Sequence, residues 1–241
     1  MRINKFLAQC KLGSRRHVEE LIKSGKIVVN GKICTDLSVQ IDPTNDKVLF
    51  ENKEIEFIDE KIYLMLNKPQ NYLVSSKDDF GRKTVYDLLP DFKSHLFPIG
   101  RLDYNSEGLL LFTTDGDFAN KIIHPRYKLP KVYKVLVKGN LIDAQIKLLR
   151  DGIVIEGKKT APALVFVKKR TVNNILLRIT IHEGRKRQIR YMIKKVGAEV
   201  LSLKRLQIGD VRLGNLPIGM WKMLKPSEVM SLMNYQKRGN R

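Results

Sequence analysis

The chain has 241 residues, a hydrophobic fraction of 43% and a formal net charge of +20. This apolar content suits folded domains and argues against an intrinsically disordered protein. There is no run of about 18 apolar residues, which argues against a transmembrane helix, and the first residues lack the apolar core of a signal peptide. We therefore expect a cytoplasmic protein.

The excess of positive charge indicates a polyanionic partner, because basic side chains attract phosphates and release their counterions. The excess lies entirely in residues 61–241, since residues 1–60 hold ten Lys or Arg and ten Asp or Glu. No basic amphipathic helix with a large apolar face is evident, which argues against a membrane surface. We expect a nucleic acid as partner; a basic soluble protein without one is the simpler alternative.

The N-terminal residues predict two helices followed by a hairpin. Apolar residues recur at helical spacing from Ile3 to Cys10, and Ser14 is a suitable N-cap for a second helix. Asn30-Gly31 lies between two short apolar runs, which is a strong hairpin signal. The charged stretch 51–61 predicts a linker, so we expect a first domain of residues 1–60 and a second of residues 61–241.

The second region contains more strand signals. Alternating or continuous apolar residues predict strands over 62–66, 108–113, 131–138 and 175–181. Helical patterns lie near 117–123, 141–150 and 187–196. These strands and helices do not alternate as βαβ units. We therefore predict an α+β fold whose second domain has a mixed, largely antiparallel sheet flanked by helices.

Two arginines, Arg15 and Arg16, stand at the start of the predicted second helix. Cations at this position oppose the helix dipole. A phosphate placed there would be attracted both by the arginines and by the unpaired N–H groups of the helix. Lys26 could extend the same patch. Solvated arginines at a surface are the simpler explanation.

Three segments of this region carry a resemblance: Arg2–Ala8, Gly13–Arg16 and Leu21–Gly31. They resemble the small RNA-binding domain first seen in a ribosomal small-subunit protein. That domain implies contact with RNA and does not imply a reaction. Under this resemblance Arg15, Arg16 and Lys26 are RNA-binding residues.

The loop sequence 100–108 contains an acidic residue, Asp103. A single Asp in a loop is most often a turn or cap residue. Two other positions weaken that explanation. Tyr133 shares a strand face with apolar residues, although core packing alone could account for it. Arg190 lies at the edge of a helical apolar stripe, where an arginine is usually partly buried and requires an acidic partner.

The start of the helix that carries Arg190 is strongly basic. Arg185, Lys186 and Arg187 precede it directly, after the Glu183-Gly184 turn. A phosphate near this helix start would be favoured for the same reason as at Arg15. The cluster therefore indicates either a surface that faces RNA or a solvated face.

Together these segments resemble the pseudouridine synthases that act on bacterial ribosomal RNA. The matching segments, in chain order, are Leu66–Pro69, Phe97–Asp103, Ser106–Gly116, Lys131–Tyr133 and Glu183–Arg190. The large-subunit branch of the family is the most similar, through Thr160–Ala163 and Thr180–Arg190. The small-subunit branch stays open as an alternative, as does a non-catalytic RNA-binding factor of ribosome assembly.

The resemblance implies a role for each site residue. Asp103 is the essential carboxylate, which acts on the ribose or the uracil ring while the glycosidic bond breaks. Tyr133 packs on the target base and helps to remove the carbon-5 proton. Arg190 pairs with Asp103 and keeps it ionised. The expected RNA contacts of the second domain are Lys68, Arg101, Arg185, Arg187 and Gln188.

The predicted reaction, isomerisation of a uridine, requires no external donor, so we expect no cofactor. No Gly-rich phosphate loop or dinucleotide fingerprint is present. The four histidines and two cysteines do not have metal-ligand spacing, so we expect no metal site. The expected partner is ribosomal RNA or a ribosomal assembly intermediate, bound by a monomer that does not contact a membrane.

Overall fold

The computed structural model describes residues 1–57, 60–76, 78–90 and 96–235. The chain divides into two compact units, the first built mainly on Met1–Lys61 and the second mainly on Ile62–Pro90 and the residues from Phe97 onwards. In the described ranges, no helix is both long enough and apolar enough to cross a membrane.

The first unit packs two helices on a small antiparallel sheet. Its elements are α1 (Ile3–Gln9), α2 (Arg15–Lys23), β1 (Ile27–Val29), β2 (Lys32–Cys34), β3 (Val48–Phe50) and β4 (Lys53–Glu54), with strand order β2-β1-β3-β4. The Ser14 hydroxyl caps α2 by accepting a hydrogen bond from the His17 N–H at 3.3 Å. Asn30 and Gly31 both have positive φ, 49° and 78°, as a tight two-residue hairpin requires. The predicted helices and hairpin are confirmed.

The predicted linker starts too early. Lys53 and Glu54 form the edge strand β4, which pairs antiparallel with Phe50 and Leu49. The Phe57 ring stacks on the Phe6 ring of α1, with centroids 5.7 Å apart. The many charged residues of this stretch made it resemble a linker. Its apolar residues pack on the core of the first unit because the burial of apolar surface is favourable.

A nine-stranded sheet forms the second unit. Its strands and those of a small two-stranded ribbon are β5 (Tyr63–Lys68), β6 (Phe97–Ile99), β7 (Glu107–Thr113), β8 (Lys131–Lys138), β9 (Val154–Ile155), β10 (Lys158–Lys159), β11 (Leu164–Arg170), β12 (Asn174–Ile181), β13 (Glu199–Ile208), β14 (Val211–Arg212) and β15 (Trp221–Met223). Its helices are α3 (Gly116–Ile123), α4 (Asp143–Asp151), α5 (Gln188–Lys195) and α6 (Pro226–Met233).

The order of the large sheet is β11-β12-β8-β13-β7-β5-β15, with β14 paired to β13 and β6 paired to β7. Among the described strands of this sheet, β13 and β7 run parallel and the other neighbouring pairs run antiparallel. The predicted α+β fold with a mixed, largely antiparallel sheet is therefore confirmed. The core includes a cluster on one side of β5, β6 and β7 that is covered by α3 and α6.

Strand β13 lies in the middle of the sheet, yet the sequence pattern did not predict it. Its register against β8 shifts twice, between Val200 and Ser202 and between Arg205 and Gln207. Each bulge moves the following side chains to the opposite face, so the strand never shows a clean period of two. Arg205, which stands at the second of these bulges, belongs to the candidate active site.

Candidate active site

Asp103 lies in the loop between β6 and β7, residues 100–106, which we call the Asp103 loop. Gly100 opens the loop with φ 76°, a conformation that favours glycine. The Ser106 N–H donates to the Asp103 carbonyl at 3.0 Å and closes a tight turn. Asp103 is half-buried. In the described part of the chain no hydrogen bond to its carboxylate is found, so the carboxylate oxygens can accept from a substrate.

Lys68, at the end of β5, anchors this loop from beneath. Its side chain is completely buried. The ammonium group donates to the carbonyl oxygens of Pro69 at 2.9 Å, Asp103 at 3.3 Å, Tyr104 at 3.5 Å and Ser106 at 2.9 Å. Three of these four acceptors belong to the Asp103 loop. A single buried cation therefore fixes the backbone of the loop from Asp103 to Ser106.

Burial lowers the pKa of Lys68 to about 8, while the charges of Asp103 and Glu107 act in the opposite direction. Arg205 adds a repulsion that lowers the pKa further. The predicted contact between Lys68 and RNA does not fit this position, since the ammonium is enclosed and bonded to backbone carbonyls. The sequence showed a lysine beside a proline turn, and nothing in that pattern indicates which way the side chain points.

Arg205 is a second buried cation at the loop, and no pattern in the sequence predicted it. Its side chain is 3% exposed. Nε donates to the Leu109 carbonyl at 2.7 Å, and Nη1 lies 3.5 Å from the Arg101 carbonyl. Its Nη2 atom is buried and has no partner among the described groups. Arg205 therefore links the start of the Asp103 loop to strand β7.

Gly108 allows this arrangement. It stands beside Arg205 in the parallel β7–β13 pair. A Cβ atom at Gly108 would lie only 2.3 Å from the Arg205 carbonyl oxygen, and its φ of +105° is unfavourable for other residues. Only glycine lets the two strands approach this closely just after the loop.

Tyr133 lies in the middle of β8, directly between Ile179 of β12 and Arg205 of β13. Paired residues of antiparallel strands point to the same face, so Tyr133 and Arg205 share a face of the sheet. The ring is 7% exposed. Its hydroxyl makes no hydrogen bond with the groups the structure describes. Lys131 lies on the same face, where burial lowers its pKa to about 8, with Arg205 contributing.

Arg190 approaches the Asp103 loop from helix α5. Its Nη2 donates to the Asn105 carbonyl at 2.9 Å and its Nη1 to the Val200 carbonyl at 3.4 Å. Burial lowers the pKa of Arg190, the charge of Arg187 lowers it further, and Asp103 opposes both effects. Within the described ranges no ion pair of 4.0 Å or less joins Arg190 to Asp103. The predicted direct pairing is thus replaced by backbone contacts within electrostatic reach of the carboxylate.

A basic cavity opens beside Arg190. It has a volume of about 410 Å³ and is lined by Arg187, Arg190, Lys194, Ala198, Glu199 and Val200. Arg187 and Lys194 are exposed. We call this the Arg187 cavity. Because Arg190 also contacts the Asn105 carbonyl, the cavity borders the Asp103 loop.

Gln188 and Arg185 build the turn that precedes α5. Gln188 is 3% exposed, and its side chain donates to the Glu183 carboxylate at 2.6 Å and accepts from the Arg185 N–H at 3.1 Å. The Arg185 guanidinium donates to the carbonyls of Lys158 and Lys159 at 2.9 and 2.7 Å. The predicted RNA contact of Gln188 does not fit a buried side chain, and the donors of Arg185 are engaged within the protein.

The other predicted RNA contacts lie at the surface. Arg15, Arg16 and Lys26 are exposed on the first unit, and Arg101 and Arg187 are exposed on the second. All five are sterically available to a polyanion. Their contact with RNA stays a prediction.

The site combines a carboxylate on a braced loop, a buried tyrosine on a sheet face that also carries Arg205 and a partly buried arginine. A carboxylate held in this way can act as a nucleophile or as an acid–base group. In the described ranges, no group of three or more His, Cys, Asp or Glu side chains is arranged to hold a metal ion.

The chain is similar to known proteins along nearly its whole length. The RNA pseudouridylate synthase family matches residues 62–195, and the S4 domain matches residues 1–48. An uncharacterized RNA pseudouridine synthase of Aquifex aeolicus is 42% identical over 233 residues, which cover 96% of this chain and 93% of that protein. Ribosomal large subunit pseudouridine synthase B of Bacillus subtilis is 41% identical and covers 96% and 95% of the two chains.

A solved structure agrees with these sequence matches. The crystal structure of a pseudouridylate synthase superposes with a TM-score of 0.71 at 31% identity, covering 96% of this chain and 99% of that one. The family model spans more than half of the chain and includes Asp103, Tyr133 and Arg190. The protein therefore belongs to the RNA pseudouridylate synthase family and carries an S4 domain at its N-terminus.

Proposed function

We propose that the protein converts a uridine of large-subunit ribosomal RNA to pseudouridine, with Asp103 as the catalytic carboxylate. The observation that carries the proposal is the Asp103 loop, whose backbone is held by Lys68 and Arg205 while the carboxylate keeps its acceptors available. The name of the Bacillus subtilis relative supports the choice of large-subunit RNA. Rigid placement of a reactive group is a large part of enzymatic rate enhancement.

The reaction conserves all atoms of the nucleotide. The bond between N1 of uracil and C1′ of ribose breaks while Asp103 acts on the ribose or the ring. The uracil rotates, and a bond forms between its C5 and C1′. The C5 proton is lost, and N1 gains a proton. Tyr133 packs on the base and assists the removal of the C5 proton, with no cofactor required.

The target uridine has to leave its stack to reach Asp103, which costs a few kcal/mol. Contacts to the RNA backbone offset this cost. The Arg187 cavity, with its three cationic side chains at the edge of the Asp103 loop, suits a phosphate close to the target nucleotide. Arg101, exposed within the loop itself, suits a second phosphate or the space left by the extruded base.

The two units take different parts in this function. Residues 1–60 hold the RNA through the exposed Arg15, Arg16 and Lys26, and residues 61–241 carry out the isomerisation. The proposed substrate is ribosomal RNA or an assembly intermediate of the ribosome, which the protein modifies as a monomer. Such a substrate fits a cytoplasmic location.

The test is a map of pseudouridines in ribosomal RNA from cells with and without the gene. We expect one large-subunit position to lose pseudouridine without the gene. The wild-type copy should restore it, and an Asp103→Ala copy should not. A lost position in small-subunit RNA would contradict the choice of subunit. An unchanged map, or rescue by Asp103→Ala, would contradict the proposed reaction or its carboxylate.

A further inference from the structure

A large aromatic side chain of the second unit stands in solvent. Phe80 is 82% exposed and lies in the segment 78–84, which we call the Phe80 loop. A phenylalanine that projects this far buries almost none of its apolar surface. It therefore adds little to the stability of the fold, and its exposed ring needs another explanation.

The Phe80 loop is braced from within by Asp78. The Asp78 carboxylate accepts from the Phe80 N–H at 3.2 Å and from the Arg82 N–H at 2.7 Å. It also pairs with the Arg82 guanidinium, with a shortest distance of 2.6 Å, and only 6% of the Asp78 side chain is exposed. A single carboxylate thus fixes the backbone at Phe80 and the side chain of Arg82.

This bracing places a cation over the ring. The central carbon of the Arg82 guanidinium lies 5.1 Å from the Phe80 ring centroid, in the range of a cation–π contact. The guanidinium covers part of the ring and leaves most of its surface in solvent, as the exposure of Phe80 requires. The neighbouring Lys83 makes a similar contact, with its ammonium 5.9 Å from the Tyr72 ring centroid.

The Phe80 loop is tied to the Asp103 loop. The Asn71 N–H donates to the Tyr104 carbonyl at 2.9 Å, and the Leu73 N–H donates to the Lys83 carbonyl at 2.9 Å. The Phe80 loop is therefore connected to the Asp103 loop through the backbone of residues 71–73.

Other exposed apolar residues lack these features. Val172 is 91% exposed at the turn between β11 and β12, and Phe166 is 53% exposed on strand β11. Single exposed apolar residues of this kind are common and need no function. Phe80 differs because Asp78 holds its backbone, Arg82 lies over its ring and its loop is connected to the Asp103 loop. Aromatic rings interleaved with cations are the surface that unstacked nucleobases recognise.

We propose that Phe80 is a stacking platform for a nucleobase of the substrate RNA next to the target uridine, with Arg82 pairing to the adjacent phosphate. The proposal rests on the proposed function. Extrusion of the target uridine exposes the face of a neighbouring base. Stacking on Phe80 would recover part of that lost contact and would hold the RNA strand beside Asp103.

The test compares Phe80→Ala, Phe80→Trp and the matched control Phe166→Ala in the full chain, on an RNA fragment that contains the mapped target. Pseudouridine formation is measured against RNA concentration. The loss of one stacked base predicts a rise in KM of about tenfold or more for Phe80→Ala. We expect its kcat to stay within about twofold, because Asp103 is untouched. Phe80→Trp and Phe166→Ala should resemble the wild type.

Each outcome decides the proposal. An unchanged KM for Phe80→Ala would overturn it, as would a fall in kcat alone, which would mean that Phe80 supports the Asp103 loop. A failure of Phe80→Trp to retain the wild-type KM would also contradict stacking. The wild type is measured in the same series. If it forms no pseudouridine, the proposed function fails first and this inference fails with it.

Discussion

The second unit uses its basic residues in two opposite ways. Beneath the Asp103 loop, Lys68 and Arg205 are 0% and 3% exposed and donate to backbone carbonyls. At the mouth of the site, Arg187 and Lys194 stand in solvent around a cavity. Lys68 and Arg205 hold the backbone of the Asp103 loop, and Arg187 and Lys194 are available to a polyanion.

The comparison shows that charge alone does not identify a ligand contact. A buried cation is costly unless its donors are satisfied, so Lys68 and Arg205 are stable only where several carbonyl oxygens converge. The Asp103 loop supplies such carbonyls because it has little regular secondary structure of its own. An exposed cation gains little from neighbouring protein groups and keeps its donors for a phosphate.

The largest expected effect comes from Asp103→Asn, which removes the proposed catalytic carboxylate and leaves both groups of cations in place. The rate of pseudouridine formation should fall at least about a hundredfold. RNA affinity should stay close to the wild-type value, since no phosphate contact is lost. Single-turnover assays and filter binding measure the two quantities. A variant that keeps its activity would show that another group performs the chemistry.

The exposed pair is tested by the double variant Arg187→Ala with Lys194→Ala. If each side chain contacts a phosphate, the slope of the logarithm of affinity against the logarithm of salt concentration should become shallower by about two. Affinity at low salt should fall by about tenfold or more. Lys195→Ala is the control, because Lys195 is exposed on the same helix and does not line the cavity. An unchanged salt slope would exclude the cavity from the RNA path.

The burial of Lys68 predicts that the free energy of unfolding depends on pH. The pKa of Lys68 is about 8 in the folded protein and 10.5 as its ordinary value. Between these values the unfolded chain binds more protons than the native one, so the free energy of unfolding rises with pH. From about pH 7 to about pH 9.5, the difference in this quantity between wild type and Lys68→Met should move in favour of the wild type. Urea unfolding at several pH values measures the free energy of unfolding of both proteins. A difference between them that is constant with pH would contradict the burial of the charge.

The smallest effect is expected on the first unit. Arg15→Ala with Arg16→Ala should weaken RNA binding by about threefold, as fits exposed and screened charges. The rate at saturating RNA should be unchanged. Lys23→Ala, at the other end of helix α2, is the matched control. A loss of rate at saturating RNA would mean that this unit also acts on the chemistry.

Local signals were sufficient for much of the fold. The N-cap Ser14, the Asn30-Gly31 turn and the alternation of β8 were read directly from the sequence because each depends on neighbouring residues only. The segment around Asp103 and the helix of Arg190 were also found, through the resemblance to a family. These features require no knowledge of distant contacts.

What the sequence did not reveal depends on distant contacts. The sequence pattern did not predict strand β13, because its two bulges break the alternation of buried and exposed residues. It therefore did not indicate Arg205 either. Lys68 and Gln188 were assigned to RNA, although β7 and the turn before α5 enclose them. The bonds that decide these cases join residues far apart in the chain, such as Lys68 with Ser106 and Arg205 with Leu109.

The most direct test of the account is the single-turnover rate of Lys68→Met with the protein in excess over RNA. Methionine fills the same space and leaves four carbonyls of and around the Asp103 loop without their donor. We predict that the rate falls by about tenfold to a hundredfold, while RNA affinity stays within about twofold of the wild type and circular dichroism shows a folded protein. A wild-type rate combined with weakened RNA binding would contradict the account, because Lys68 would then be an RNA ligand and not the anchor of the Asp103 loop.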